Sequence, residues 1–516
     1  MFTAMLNALG MAFAMGWEIL WPLVLGFALG YTQITVPLCQ QSTLAPGFYV
    51  ATNGSDSNPG TLAAPFATLG NAQAAMRASA QATLLTHQHK KKSSLVPGFY
   101  VAPSGNDANN GSLGAPFATL AKAQAAMQAS GAILTTYIRA GSYTPPSVAN
   151  CNGEGVTCML DLQAADNGET WSYYPPDGID SADFTGGSTA FGNGLYYMIS
   201  DHASNITING LSLHNFQHSG VHSGGGAHSP TIINNVIFNG TITTQTANPG
   251  AIACYGCTNA IISHNVIHDI GSWGVAFANV NGDVSNMLVT GNVIYNTCTG
   301  RPDCSAIYLV DTSQAATNIQ WTNNYIRDGN TGATLGSGFG SAMYADDCTS
   351  NLTATGNVIT GQNGSNTAML FHGGSNIHVN GNLIDLSTLQ QSIMSFQTSS
   401  CPSNAMSGNQ AESNIVIGTG PGGGYNLLSG APPNNPLIAN SDYFAYAGSA
   451  INSSGSYSDA NPVSEDPQLS CWIYNIASGS PVFNAPVNFP GLAVGWGPPG
   501  FVIPQTGTPP SSLHTC

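Results

Sequence analysis

Between about residues 205 and 385 the chain repeats one short phrase, an asparagine followed by two apolar residues. It occurs as Asn235-Val-Ile, Asn265-Val-Ile, Asn292-Val-Ile, Asn324-Tyr-Ile, Asn357-Val-Ile and Asn382-Leu-Ile. The phrases stand 25 to 33 residues apart, with short alternating strands and Gly/Asn/Ser turns between them. A period of that length is the mark of a solenoid. No amphipathic helix of about 10–15 residues interrupts the strands, which excludes α/β barrels and helical solenoids. Leucine-rich repeats need a denser Leu lattice, and propeller blades need about 40 residues or more. The pattern predicts an all-β fold, a right-handed parallel β-helix of about ten coils. Two explanations of the asparagine are open: its amide bonds the equivalent group one coil away, or it only tolerates a left-handed turn.

Composition narrows the partners. Only 6% of the residues are charged, and 8 Lys+Arg against 24 Asp+Glu give a net charge of −16. Binding phosphates needs a basic face, so nucleic acid is excluded. A hydrophobic content of 42% is ample for a core, while Gly 61 and Pro 30 leave little room for long helices. The 11 cysteines suit an oxidising compartment. Cys151 with Cys158 and Cys298 with Cys304 have the spacing of local disulfides. Cys348, Cys401, Cys471 and Cys516 are candidates to clip the C-terminal third, and Cys39 is the candidate unpaired thiol. Cys254-Tyr-Gly-Cys257 has no second pair at zinc-finger spacing and no thioredoxin-like βαβ around it.

Four regions follow. Residues 1–31 are apolar with Glu18 as the only charge, which reads as a targeting or membrane-anchoring segment. Residues 32–98 hold a first copy of a cap sequence, Phe48 to Ala80, and a basic linker, His87-Gln-His-Lys-Lys-Lys92. The second copy, Phe99 to Gly131, opens the region 99–400, which is the β-helix with its short helical N-terminal cap. Residues 401–516 are expected to form the last coils and a C-terminal cap.

The first strand of successive coils aligns into columns. Gly274-Val-Ala-Phe-Ala-Asn279 lies under Ala306-Ile-Tyr-Leu-Val-Asp311, then Ala342-Met-Tyr-Ala-Asp-Asp347, then Ala368-Met-Leu-Phe-His-Gly373. With period-2 alternation Tyr308, Tyr344, Asp346 and His372 point outward, and Asp311 and Asp347 stand at the following bend. Coils about 4.8 Å apart then gather three carboxylates, an imidazole and two tyrosines on one face.

The opening FYVAPSGNDANNGSLGAPFATL, the repeats, and the ending with Glu465-Asp-Pro-Gln-Leu and Gly495-Trp-Gly-Pro-Pro-Gly resemble the pectate-lyase-like superfamily of carbohydrate-active β-helices. The register of Asp311, then Asp346-Asp347-Cys348, then His372 resembles that of polygalacturonases. That resemblance implies Asp346 as general acid, Asp311 and Asp347 as the groups that activate water, and His372 as a tuning or orienting group. Tyr308 and Tyr344 offer stacking faces for sugar rings, and Trp273, Asp269 and Arg301 are expected to flank the groove. The chain departs from polygalacturonases in having His372-Gly-Gly and no Lys or Arg after Arg327. A neutral or weakly charged glycan is therefore expected in place of acidic pectin.

The expectation is an exported bacterial glycoside hydrolase, secreted or held at the cell envelope, with a polysaccharide or oligosaccharide as its partner and no cofactor. The alternatives are a non-catalytic glycan-binding or structural β-helix and a polysaccharide lyase assisted by calcium at Asp311, Asp346 and Asp347. A turn Asp is often only a cap on backbone N–H groups, and that reading stands beside the catalytic one for Asp311 and Asp347. A metal site in the run His214, His218, His222 and His228 requires side chains at those spacings to converge.

Overall fold

The structure is a computed structural model. It describes residues 54, 55, 67 and 95–503, apart from 190–193, 226, 241–248, 280–282, 302, 330–339, 362–366, 387–391, 402–405, 419–425, 430–433, 435, 446–457, 471–474, 493–494 and 502. The apolar stretch 1–31, nearly all of the first cap copy, and Cys39, Cys471 and Cys516 lie outside the described residues. The chain divides into two compact units, Met1–Ser94 and Leu95–Cys516.

The second unit is a right-handed parallel β-helix. Its three long sheets contain twelve, eleven and eleven strands. One coil visits each sheet once: Met287–Thr290 lies in the first, Val293–Tyr295 in the second and Cys304–Val310 in the third, before Ile319–Thr322 re-enters the first. Crossovers between parallel strands are right-handed for the steric reason that makes strands twist. The hydrogen-bonded ladders run from Phe99–Val101 to Leu437–Ala439 in the first sheet and from Gly141–Tyr143 to Asp442–Ala445 in the second. The ladders thus continue past residue 400.

The bend between the first and second sheets explains the repeated asparagine. The residue before it takes the left-handed conformation: Asn234, His264, Gly291, Asn323, Gly356, Gly381 and Ser413 all have positive φ. The repeated asparagines do not, so turn tolerance is not their role. Their amides form a buried ladder in which each Nδ2 donates to the Oδ1 of the next coil. The donor–acceptor distances are 3.0 Å for Asn235 to Asn265, Asn265 to Asn292, Asn292 to Asn324 and Asn324 to Asn357, and 2.9 Å for Asn357 to Asn382. Asn414 adds one rung beyond the phrase read in the sequence, accepting from Asn382 at 3.0 Å.

Replacing Asn324 by Leu should therefore be costly. Its Oδ1 accepts from both the backbone N–H and the amide of Asn292, and its Nδ2 donates to the Val289 carbonyl. Each buried group left without a partner costs about 1–3 kcal/mol. A denaturant titration should show a loss of about 3 kcal/mol or more. A loss below about 1 kcal/mol would mean that the ladder amides act independently of the bend.

Inward side chains of all three sheets form one continuous core. The helix Leu120–Ser130 closes the first coil with buried Leu120, Ala123 and Met127, after an N-cap in which Thr119 accepts from the Lys122 N–H. At the other end the chain does more than cap the last coil. Leu469, Ile476, Val482, Val487, Phe489 and Trp496 pack on the outer face of the second sheet, against Val293, Tyr325, Val358, Leu383 and Ile415. The Gly497 N–H reaches back to the Gly291 carbonyl at 2.8 Å. With the second sheet covered in this way, the outer face of the third sheet is the one that carries the candidate chemistry.

Candidate active site

The columns read from the sequence hold in the third sheet. Val275 pairs with Ile307, Ile307 with Met343, and Met343 with Met369. Ile307, Leu309, Met343, Ala345, Met369 and Phe371 are buried in the core. Their alternating neighbours Tyr308, Tyr344, Asp346 and His372 project from the opposite face, where the rings of Trp273, Tyr308 and Tyr344 form a smaller cluster. Register places Val310 opposite Asp346 and Ala345 opposite Phe371, so His372 follows Asp346 one coil on.

Asp346 is the centre of the site. Its Oδ1 accepts from the Asp347 N–H at 2.8 Å and lies 2.9 Å from His372 Nδ1, and its Oδ2 accepts from the Tyr308 hydroxyl at 2.9 Å. The Tyr344 hydroxyl is a further donor. Burial works against its charge, but bonds from His372, Tyr344, the Asp347 N–H and Tyr308 outweigh that penalty and hold the carboxyl below its ordinary value. The bond to Asp346 raises His372 against the opposing effect of burial, and the charges of Asp346 and Asp347 add to the rise. The pair therefore favours carboxylate and imidazolium. The expectation that Asp346 keeps a proton as general acid meets the opposite environment.

Asp347 is the open carboxylate, its side chain 44% exposed beside the 25% exposed His372. Its Oδ1 accepts from the Ser399 hydroxyl at 2.7 Å and lies 3.4 Å from His372 Nδ1. A disulfide between Cys348 and Cys401 ties this bend to the segment that supplies Ser399. Gly373 takes φ 82°, and a Cβ there would strike the Cys401 sulfur, so the Gly after His372 lets the bridge close.

Asp311 does not join the cluster. It is fully buried, with Oδ1 accepting from the Asn279 amide, the Ser313 N–H and the Ser313 hydroxyl, and Oδ2 from the Ala316 N–H. It is a turn cap, because the bend after Val310 folds its own N–H groups onto the carboxylate. Tyr308 and Tyr344 are 6% and 3% exposed, so they hold Asp346 instead of stacking on a sugar. Burial and the Asp346 charge raise both phenols and keep them protonated. Trp273 is likewise buried, its ring 5.1 Å from that of Tyr308 and covered by the Arg301 guanidinium at 4.1 Å. Asp269 stands elsewhere, at the end of a second-sheet strand, where it pairs with His268 and accepts from the Asn296 amide.

The sequence reading passed over Asp303. The short loop Cys298-Thr-Gly-Arg-Pro-Asp-Cys304 is closed by a disulfide and folds over the third sheet, with Arg301 on Trp273 and the Arg301 Nε–H donating to the Asp303 carbonyl at 3.2 Å. Asp303 is exposed to solvent, yet it loses enough hydration there to raise its carboxyl. The Asp346 charge adds to the rise, Arg301 and His372 oppose it, and Asp347 again adds to it. The available signal was two opposite charges inside a Cys-bounded loop of a nearly uncharged chain.

Asp346, Asp347 and His372 have donor atoms within 4.8 Å of one another. They make a poor calcium cage, which takes six to eight oxygens: Asp346 is committed to four donors, His372 offers nitrogen, and Asp311 is spent in its turn. The histidine run does not converge. His218 and His222 are buried against Tyr197 and held neutral by burial, His214 stacks on Phe238, and His228 meets Thr258. Cys254 and Cys257 pair with each other, as do Cys151 and Cys158.

A family model described as "Right handed beta helix region" matches residues 194–384. Among solved structures, one described as a glycoside hydrolase is 8% identical with a TM-score of 0.43, covering 71% of this chain and 97% of its own. A lacto-N-biosidase from Eubacterium ramulus is 13% identical with a TM-score of 0.41, covering 77% and 72%. A rhamnogalacturonan lyase is 12% identical with a TM-score of 0.36, covering 67% and 82%. No curated protein matches the chain.

Proposed function

We propose that the protein is an exported carbohydrate-active enzyme, a glycoside hydrolase that cleaves a neutral or weakly charged glycan on the outer face of the third sheet. The observation that carries this reading is the trio Asp346, Asp347 and His372, which sets an ionised, fully hydrogen-bonded carboxylate behind an open one. A carboxylate positioned in this way can take a proton from water as that water attacks an anomeric carbon. Asp347 is the group exposed enough to meet the water, and Asp346 with His372 fixes its surroundings. Charge supports the substrate class. Asp303, Asp346 and Asp347 face Arg301 and His372 on a chain of net charge −16, a field that repels polyuronates. The disulfides suit an oxidising compartment. No helix among the described residues is long and apolar enough to cross a membrane.

The test is a panel of neutral and acidic polysaccharides assayed in parallel for new reducing ends and for ultraviolet absorbance of unsaturated products. Reducing ends from a neutral glycan without that absorbance are the expected result. Unsaturated products would replace hydrolysis by elimination, and binding without cleavage would replace it by a glycan-binding module.

A further inference from the structure

Hydrolysis of a glycosidic bond needs two carboxyl groups on opposite sides of the bond, about 5–5.5 Å apart for retention or about 6.5–9.5 Å for inversion. Asp346 and Asp347 cannot be that pair. They are consecutive residues with donor atoms within 4.8 Å of each other, and the same His372 Nδ1 lies 2.9 Å from one and 3.4 Å from the other. Both therefore stand on one side of whatever they act upon. Asp311, the other acid expected from the sequence, is buried in its own turn.

The Cys298–Cys304 loop borders the site through one layer of rings: Arg301 covers Trp273, whose ring lies 5.1 Å from that of Tyr308, the donor to Asp346. Its disulfide pins both ends with the Cα atoms 5.7 Å apart, and the Arg301 guanidinium clamps its middle onto the Trp273 ring. Asp303 is the residue next to the second cysteine and is exposed to solvent; the charges of Asp346, His372 and Asp347 act on it, and its own charge adds to the rise of Tyr308 and Tyr344. We propose that Asp303 is the catalytic acid of this site, held across from Asp347 by the disulfide-bounded loop and its Arg301–Trp273 clamp.

This inference rests on the hydrolase reading. The Asp303 carboxyl gives its proton to the glycosidic oxygen as the bond from the anomeric carbon to that oxygen breaks. Water attacks the anomeric carbon and loses a proton to Asp347. The products are a free alcohol and a hemiacetal, and the proton returns from Asp347 to Asp303 through solvent. Loss of hydration and the neighbouring Asp346 and Asp347 charges keep Asp303 protonated to higher pH than an ordinary carboxyl, while Arg301 and His372 limit the rise.

The experiment compares wild type with Asp303→Asn on two substrates: the neutral glycan that the wild type cleaves, and the para-nitrophenyl glycoside of the same sugar. A departing nitrophenolate needs little proton donation. The expected result is a loss of about 10²-fold or more in kcat on the glycan, a much smaller loss on the aryl glycoside, and disappearance of the alkaline limb of the kcat/KM profile. Asp303→Glu should restore part of the glycan activity, which a purely structural role would not predict. Full glycan turnover by Asp303→Asn, or equal losses on both substrates, overturns the assignment while leaving the hydrolase reading intact. A wild-type protein that cleaves no glycan overturns both.

Discussion

Asp346→Asn is expected to lower turnover by about 10²-fold with little change in the unfolding midpoint, because the charge that sets the protonation of His372 beside the base Asp347 is lost. The amide has the size of the carboxylate: its Oδ1 can still accept from the Asp347 N–H, and the Tyr308 hydroxyl can turn to accept from the new Nδ2. What disappears is the charge that holds the site's protonation pattern. His372 is raised first by its bond to Asp346, so without that carboxylate it should become neutral at lower pH. An asparagine amide can also turn its own N–H groups toward the His372 ring, where the carboxylate only accepts. Titration of the His372 ring by NMR should report a fall in its pKa alongside the loss of kcat. Wild-type turnover with an altered His372 titration would remove Asp346 from the mechanism, and with it the trio on which the proposed function stands.

The largest stability effect is expected far from that site, under the N-terminal helix. Glu169 is 1% exposed, and burial, then the Asp166 charge, push its carboxyl up to about 8. Its Oε2 accepts from Trp171 Nε1 at 3.1 Å, while Asp166 binds the Gln124 and Gln128 amides of the capping helix. The unfolded chain releases this proton near the ordinary value of about 4.3. Between those two values the folded state binds more protons than the unfolded one, so stability falls as pH rises. From pH 5 to pH 8 this group alone should cost about 3 kcal/mol. Asp201 and Asp442, both raised by burial to about 7, add in the same direction. Glu169→Gln keeps an acceptor for Trp171 and offers Asp166 a donor. It should leave stability at pH 5 nearly unchanged and raise it at pH 8 by about 2–4 kcal/mol, measured by denaturant titration. An unchanged pH dependence in that variant would show that Glu169 is ionised in the folded protein.

How far the site was legible follows from the range of each force. Alternation and coil register are local properties of a strand stacked on its own kind, so Tyr308, Tyr344, Asp346 and His372 could be assigned to one outward face by counting. Asp346, Asp347 and His372 meet for that reason. Whether an outward residue is open or covered depends on what folds over it. The Cys298–Cys304 loop lays Arg301 over Trp273, and Tyr308 and Tyr344 are buried in the same cluster, so residues expected to stack on sugars are closed off while Asp303 of that loop stays exposed. Asp311 and Asp347 occupy equivalent places after their strands, yet one is wrapped by its turn and the other is held open beside a disulfide.

The amino-acid sequence by itself determined the coil. A buried asparagine once per turn and apolar residues two apart can be satisfied together only by stacking like on like, and each rung then dictates the next. It also determined the poverty of positive charge, a surface that works against binding polyanions. Tertiary structure alone decided which sheet is open, because the segment from Leu469 to Trp496 returns along the second sheet over a distance no local pattern encodes. It alone decided which acids ionise. A carboxyl's proton depends on the donors and charges brought beside it and on the water removed from it, and those neighbours come from other coils: Tyr308 and His372 for Asp346, Asp346 for Asp303.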